Sequence, residues 1–250
     1  MNKSKGGHPL EPPRRAQEPT GARPRTATTV ERGSILRAAI GIGLYAGAFA
    51  TAYGAVAVGS GLTVAQAMLL SLVMFTGASQ FAFAGVIAAG GNPFSGVAAA
   101  LLLGVRNAFY GVPMSQVLSP RGPRRLWTAH FVIDETTAMA IGQSTRPAQR
   151  YAFWITGIIL FVCWQLGSLA GAVLGSAIDP AAFGLDAAAP AVFLALLWPA
   201  LQRTSGRLVA LAGAGVALAL VPLAPPGVPV LAAAVVALVA GLRPERKAAR

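Results

Sequence analysis

The sequence predicts an all-α integral membrane protein: a polytopic helix bundle of about six to eight transmembrane segments, some of them broken or re-entrant. Three observations predict this. Hydrophobic types make up 55% of the 250 residues and charged types only 11%, against about 25% charged in a soluble domain. Too little polar surface remains to coat a water-facing sphere, so lipid is the solvent for most of the chain. The apolar residues also come in long runs, and a backbone in lipid must satisfy its polar groups within the segment, which makes these runs helices. Finally, the basic residues fall between the runs in a pattern that assigns sides to the loops.

Residues 1–33, "MNKSKGGHPLEPPRRAQEPTGARPRTATTVERG", are rich in Pro, Arg and Thr and lack apolar periodicity. Such a segment buries too little surface to fold and is expected to be a disordered basic tail on the cytoplasmic side. Its basic stretch is too long for a secretory signal. A transmembrane domain over 34–243 and a basic cytoplasmic tail over 244–250 complete the division of the chain. The net charge of +12 belongs to the sidedness of the loops and not to a nucleic-acid surface.

The apolar runs lie near 35–58, 62–90, 93–118, 131–144, 151–177, 190–202, 208–223 and 228–242. Eight basic residues fall at or before Arg37; others cluster at Arg121, Arg124 and Arg125, at Arg146 and Arg150, at Arg203 and Arg207, and in "RPERKAAR". The connections near 59–62, 90–93, 178–190 and 222–228 carry none. Both termini and the loops near 122, 148 and 205 are therefore expected in the cytoplasm. A single crossing by 62–90 would leave Arg121, Arg124 and Arg125 on the wrong side. The conflict disappears if 62–90 enters the bilayer and returns, with its break at Thr76–Gln80. Run 131–144 is too short for a span of about 20 residues and has basic loops on both sides, so it reads as a second hairpin from the cytoplasm. The full spans are then 35–58, 93–118, 151–177, 190–202, 208–223 and 228–242.

Three polar knots interrupt the apolar runs. In "FTGASQFAF", Gly77 frees the backbone while Thr76, Ser79 and Gln80 can satisfy exposed amides and carbonyls. In "LLLGVRNAFYGVPM", Arg106 is the one basic residue outside the clusters, near the centre of a span, where an unpaired charge costs at least about 2.5 kcal/mol. Asn107, Tyr110 and Gly111 follow, and Pro113 crowds the carbonyl of Phe109, so a break or kink is expected between 105 and 113. In "FVIDETTAMA", Asp134 and Glu135 are the two acids within an apolar run. They are candidate proton carriers, cation ligands or counter-ions of Arg106. Broken helices near a midplane offer half-helix N-termini to a carboxylate and free carbonyls to a cation. A zwitterionic amino acid needs both, and Phe81, Phe83 and Phe109 are available for an aliphatic side chain. The candidate substrate-binding or coupling residues are Gly77, Ser79, Gln80, Phe81, Arg106, Asn107, Tyr110, Asp134 and Glu135.

Other features read as structural. Gly167, Gly171 and Gly175 form a small-residue face suited to close helix packing, within the chain or with a partner. Trp127, Trp154, Trp164 and Trp198 read as interface anchors or packing residues. His130, beside a basic loop, reads as a surface residue. Cys163 is a small residue in an apolar stretch, and with one cysteine no internal disulfide forms. There is no nucleotide-binding GxxxxGK[ST] and no metal-ligand cluster, so neither a cofactor nor a metal is expected and an ATP-driven pump would need its motor from a partner.

At the three knots the sequence resembles the AzlC family, the large subunits of bacterial branched-chain amino acid exporters. That family shows a "GASQF"-type motif, then an Arg-containing "xxRHxxYG"-type motif, then an Asp-Glu pair in "TDE". The matching residues are Gly77, Ala78, Ser79, Gln80 and Phe81; then Arg106, Tyr110 and Gly111; then Asp134 and Glu135. The resemblance runs over roughly 35–243. Asn107 stands where the family usually has His, and Ile133 replaces the Thr of "TDE"; if that His helps carry protons, coupling here differs. The resemblance implies secondary export of Leu, Ile, Val or Met across a bacterial cytoplasmic membrane, with a small AzlD-type membrane subunit as partner. It implies a transporter and not an enzyme. The alternatives are an intramembrane enzyme, with Ser79 as nucleophile and Asp134 or Glu135 as base, and a passive channel with a polar-lined cavity.

Overall fold

The computed structural model describes residues 29–177 and 200–242 except Pro226, together with positions 194, 197 and 198. The described residues form ten helices and no strand: α1 (Thr29–Gly59), α2 (Val64–Val73), α3 (Ala78–Ala88), α4 (Pro93–Gly104), α5 (Arg106–Leu118), α6 (Arg124–His130), α7 (Asp134–Ile141), α8 (Arg146–Ala177), α9 (Thr204–Leu220) and α10 (Val228–Leu242). Of these, α1 and α8 are each long and apolar enough to cross a membrane alone, and α4 with α5 does so as one span bent by 42°.

The frame is the pair α1 and α8. Gly43 faces Ile159 and Cys163, Gly47 faces Cys163, and Gly167, Gly171 and Gly175 sit on Gly47, Thr51 and Ala55. Partner numbers rise together along both helices, so the two run parallel. A Cβ at Gly167 or Gly171 would collide with the carbonyl of Gly47 or Thr51; the small-residue face is therefore consumed inside the chain. At the starting end, the Arg32 guanidinium lies 5.4 Å from the Tyr151 ring centroid and Ile35 packs with Ala148 and Ala152. Two of the basic clusters thus share one end of the bundle.

Between these parallel helices the chain must return once, and two short hairpins flank the return. The first is α2–α3. A capping box starts α2: Gln66 N–H donates to Thr63 Oγ1 (3.2 Å) and Thr63 N–H to Gln66 Oε1 (2.8 Å). Tyr53 Oη donates to Ala67 O at 2.9 Å, Ser71 Oγ lies 3.3 Å from Ser168 Oγ, and Phe75 reaches Phe161 with centroids 5.1 Å apart. Each contact lies further from the far end of α1 and α8. Then α3 climbs back: Phe81 meets Tyr53 edge-on at 5.7 Å. One tyrosine touching both arms establishes a hairpin that folds back on itself, as the sidedness of the loops required.

The return span is α4–α5. Asn92 Oδ1 accepts from Phe94 N–H at 2.6 Å ahead of Pro93 at the first helical position. Gly96 lies under the Phe83 ring and Gly104 beside Ser79, so α4 runs antiparallel to α3. Arg150 Nε donates to Val117 O at 2.8 Å, which brings the end of α5 to the start of α8. The second hairpin, α6–α7, rises from that end: the His130 ring sits 5.8 Å from Phe161 and Phe131 covers Gly157, while Met139 returns to the Ile35 cluster. The two hairpin tips meet in mid-bundle, where Phe75 lies 5.8 Å from His130 and 6.0 Å from Phe131. Helices α9 and α10 pair with each other and lean on α4 through Gly227, whose φ of +99° and contact with Ser95 leave no room for a side chain.

Several expectations are corrected. The first break spans 74–77 and not Thr76–Gln80: Gly77 is the last residue before α3, and Ser79 and Gln80 belong to its first turn. The bend in 93–118 falls at Val105, the near edge of the expected 105–113, while Pro113 sits inside a continuous α5. Helix α6 was not foreseen. Helix α1 begins at Thr29, inside the stretch assigned to the tail. The expected span 190–202 and the residues 1–28 and 243–250 lie outside, or mostly outside, the described residues.

Candidate functional site

The site grows from the unwound tip of the first hairpin. After α2, Met74 leaves helical geometry, Thr76 N–H turns back onto Met74 O at 3.0 Å, and Gly77 takes φ 44°, ψ −82°. An L-residue is disfavoured there, and a Cβ would also stand 3.3 Å from the Trp164 indole. Gly77 O then accepts from Gln80 N–H (2.9 Å) and Phe81 N–H (3.2 Å) and starts α3. The first-turn N–H of Ala78 has no intrahelical acceptor and carries the positive end of the helix dipole. Behind it, Trp164 Nε1–H donates to Gln80 Oε1 at 3.0 Å, with Gln80 fully buried and its Nε2 without a partner among the described residues. The indole thereby fixes both the glycine backbone and the glutamine amide.

A cavity of about 170 Å³ opens at this tip. Thr76, Gly77 and Ala78 line it from the tip, Arg106, Asp134 and Glu135 bring its charges, and Tyr45 and Phe49 of α1 with Leu160 and Trp164 of α8 add its large apolar side chains. Three interruptions of the chain therefore converge on one space: the 74–77 tip, the bend at Val105, and the start of α7. Arg106 Nη2 lies 3.8 Å from Asp134 Oδ1. Their side chains are 42% and 47% exposed, a loose pair that leaves each charge able to meet something else. Asp134 and Glu135 occupy the first turn of α7, where the helix dipole favours negative charge. Thr136 holds that turn: its hydroxyl donates to Phe131 O at 2.6 Å and accepts from Ile133 N–H at 3.2 Å.

The remaining sequence candidates fall elsewhere. Ser79 and Asn107 line a second cavity of about 450 Å³ with Leu101, Gly104 and His130, and Phe75 and Thr76 form the wall it shares with the first. Phe81 is wholly buried against Phe49 and Tyr53 and supports α3 from beneath. Tyr110 packs at the edge of the main core. Of the nine candidates, Gly77, Arg106, Asp134 and Glu135 share the charged cavity. His130, read as a surface residue, sits instead in an aromatic cluster with Phe75, Trp127, Phe131 and Phe161. Sequence reasoning missed Tyr45, Phe49 and Leu160 and read Trp164 as an interface anchor or packing residue. The available signal was the small-residue face of α8, since Trp164 lies three residues before Gly167 on the helix that meets α1.

A helical bundle whose interrupted segments bring two carboxylates, a guanidinium and a free helix N-terminus into its middle is built as a polytopic membrane protein with an internal polar site. Within that class the chain belongs to the AzlC protein family, whose model matches residues 41–178, from α1 to just past the end of α8. The inner membrane protein YgaZ of Escherichia coli is 29% identical over 189 residues, 70% of this chain and 77% of that protein. The branched-chain amino acid transport protein AzlC of Bacillus subtilis is 23% identical over 172 residues, 67% of each chain. A membrane protein of Haemophilus influenzae is 24% identical over 154 residues, 60% of this chain and 63% of the relative. No solved structure matches. The family and these relatives support a membrane protein with a transport-related function.

Proposed function

We propose that the protein is the large subunit of a secondary transporter that exports branched-chain and related hydrophobic amino acids across the cytoplasmic membrane. The observation that carries the proposal is the charged cavity, where Arg106 faces the hairpin tip and both acids at one level of the bundle. A zwitterion's carboxylate is received by Arg106 and the Ala78 N–H at the start of α3; its ammonium is received by Asp134 and Glu135. The rings of Phe49 and Trp164 and the Leu160 side chain take the aliphatic part. The Bacillus relative is named as a branched-chain amino acid transport protein, which supports this substrate class.

Transport proceeds by alternating access around the meeting point of the two hairpins. Protonation of Asp134 or Glu135 couples it to the proton gradient. Neutralising one carboxylate releases Arg106 and changes which charges the cavity offers. Asn107, in place of the family's usual His, leaves the acids as the coupling groups on this side. A small AzlD-type membrane subunit completes the transporter, and both termini lie in the cytoplasm, in keeping with the basic clusters at one end of α1, α5 and α8. The enzyme reading gains no support, because Ser79 lines one cavity and the acids line the other.

The test is efflux from cells loaded with leucine-containing dipeptides, comparing the chain alone, the chain with the small subunit, and Arg106→Ala with the small subunit. Expected is efflux with the small subunit that falls about tenfold or more in Arg106→Ala, since losing a charged hydrogen-bond partner costs about 1.5–3 kcal/mol. No efflux of leucine, isoleucine, valine or methionine by any properly inserted combination would overturn the substrate assignment.

A further inference from the structure

A second built feature lies at the basic end of the bundle and shares no lining residue with the charged cavity. Helix α5 ends at Ser119, in left-handed geometry at φ 47°, and the chain turns through Pro120, Arg121 and Gly122 (φ 58°) into α6. The turn leaves an open recess of about 610 Å³ lined by Ser115, Ser119, Pro120, Arg121 and Arg125. Arg125 Nε donates to Pro120 O at 3.1 Å. At the same turn, Arg150 Nε donates to Val117 O at 2.8 Å. Within the recess, the Arg125 guanidinium is thus tethered by Nε to a carbonyl of the turn, which fixes its plane and leaves its two Nη groups for another acceptor. That arrangement suits a bidentate oxyanion, and orienting the group beforehand lowers the entropy lost on binding.

No carboxylate among the described residues is ion-paired with Arg121, Arg124, Arg125 or Arg150. The two helices that meet at the recess carry exposed apolar residues next to its lining ones in sequence: Val112 (64%) three residues before Ser115 on α5, and Leu126 (80%) and Trp127 (63%) directly after Arg125 on α6. A soluble anion would need no such neighbours. A phospholipid has both parts, a phosphate for the guanidinium groups and acyl chains for the exposed apolar residues, and an exposed tryptophan marks the headgroup level.

We propose that this recess binds the phosphate of an anionic phospholipid between Arg121 and Arg125, with the acyl chains running along Val112 and Leu126. The site joins the end of the bent span that carries Arg106 to the start of the hairpin that carries Asp134. A bound lipid therefore holds these two elements together at their common end. The inference does not depend on which substrate the cavity takes.

The experiment uses the purified full chain in detergent, titrated with phosphatidylglycerol, phosphatidylcholine or inorganic phosphate while the thermal unfolding midpoint is followed. Phosphatidylglycerol is expected to raise the midpoint saturably, and the other two to leave it unchanged. Arg121→Gln/Arg125→Gln is expected to lose the response. Arg37→Gln/Arg146→Gln removes the same charge from the same end without touching the recess, and is expected to keep it. An undiminished response in the first double variant, an equal loss in both, or a full response to inorganic phosphate would each overturn the proposal. Should the first double variant not fold, Arg121→Lys/Arg125→Lys replaces it; an ammonium cannot bind bidentately, so the apparent affinity is expected to fall. Native mass spectrometry of the wild-type chain gives a second readout, and finding no enrichment of phosphatidylglycerol over phosphatidylethanolamine would also overturn the site.

Discussion

The α1–α8 pair and the two hairpins solve opposite problems. The pair spans 31 and 32 residues without interruption, and its glycines let two backbones touch. The hairpins are built of helices of 7 to 11 residues, and their tips leave backbone and polar groups in mid-bundle. In lipid the first arrangement needs no polar partner, because every interior amide is satisfied within its own helix. The second is tolerable only because the tips are buried in protein or line a cavity. The difference teaches where function can sit: the long pair supplies apolar walls to the site, while the interruptions supply its charges and free amides.

The sharpest way to break this contrast is to put a side chain into the long pair. Gly171→Leu drives a branched side chain into the Thr51 carbonyl. It is expected to destabilise by the upper end of about 1–3 kcal/mol or more, read as the loss of folded protein after solubilisation. Gly41→Leu, at a position with nothing within 4 Å, is expected to stay within about 0.5 kcal/mol. Equal effects at the two positions would mean that the close approach of α1 and α8 does not hold the frame together.

The charged wall of the cavity is expected to behave in the opposite way, with a large change in transport and a small one in stability. A half-exposed pair at 3.8 Å contributes about 0–1 kcal/mol to folding, so Arg106→Ala should unfold near the wild-type midpoint although its efflux fails. Asp134→Asn/Glu135→Gln removes both groups able to exchange a proton in the cavity. Its residual efflux should lose the pH dependence of the wild type, because the amides carry no titrating proton. A variant whose pH profile overlays that of the wild type would sink the coupling role.

The most local test lies where the two regions touch. Trp164→Phe keeps a ring beside Gly77 but removes the donor to Gln80, whose amide is then buried without a partner on either atom. The loss should be about 1–3 kcal/mol, and Gln80→Leu in the same background should restore part of it. No recovery in the double variant would show that the ring, and not its hydrogen bond, supports the tip.

Much of this architecture was legible in the residues. Arginine placement required 62–90 to fold back, and Tyr53 touching both Ala67 and Phe81 is that fold. The polar knots pointed to Gly77, Arg106, Asp134 and Glu135, because polar groups in an apolar run have few other reasons to exist. What misled were local rules taken alone. The bend came at Val105, the near edge of the expected 105–113 and next to Gly104, which lies beside Ser79, whereas Pro113 by itself does not interrupt α5. The aromatic content of "GASQF" suggested that Phe81 faces a ligand, yet residue 81 follows the tip by one helical turn and points into the core.

By itself the sequence determined what the solvent is, which segments must be helical, which ends of the helices lie together, and where polar groups enter lipid. Each follows from composition, run length and the placement of charge, which act residue by residue. Only the tertiary structure decided that α1 and α8 run side by side, that the two hairpin tips meet at Phe75 and His130, and that Trp164 secures Gln80. It alone separated Ser79 and Asn107 from the charged cavity. Those contacts join residues more than fifty apart in the chain, and no pattern within a single helix encodes which distant face it will touch.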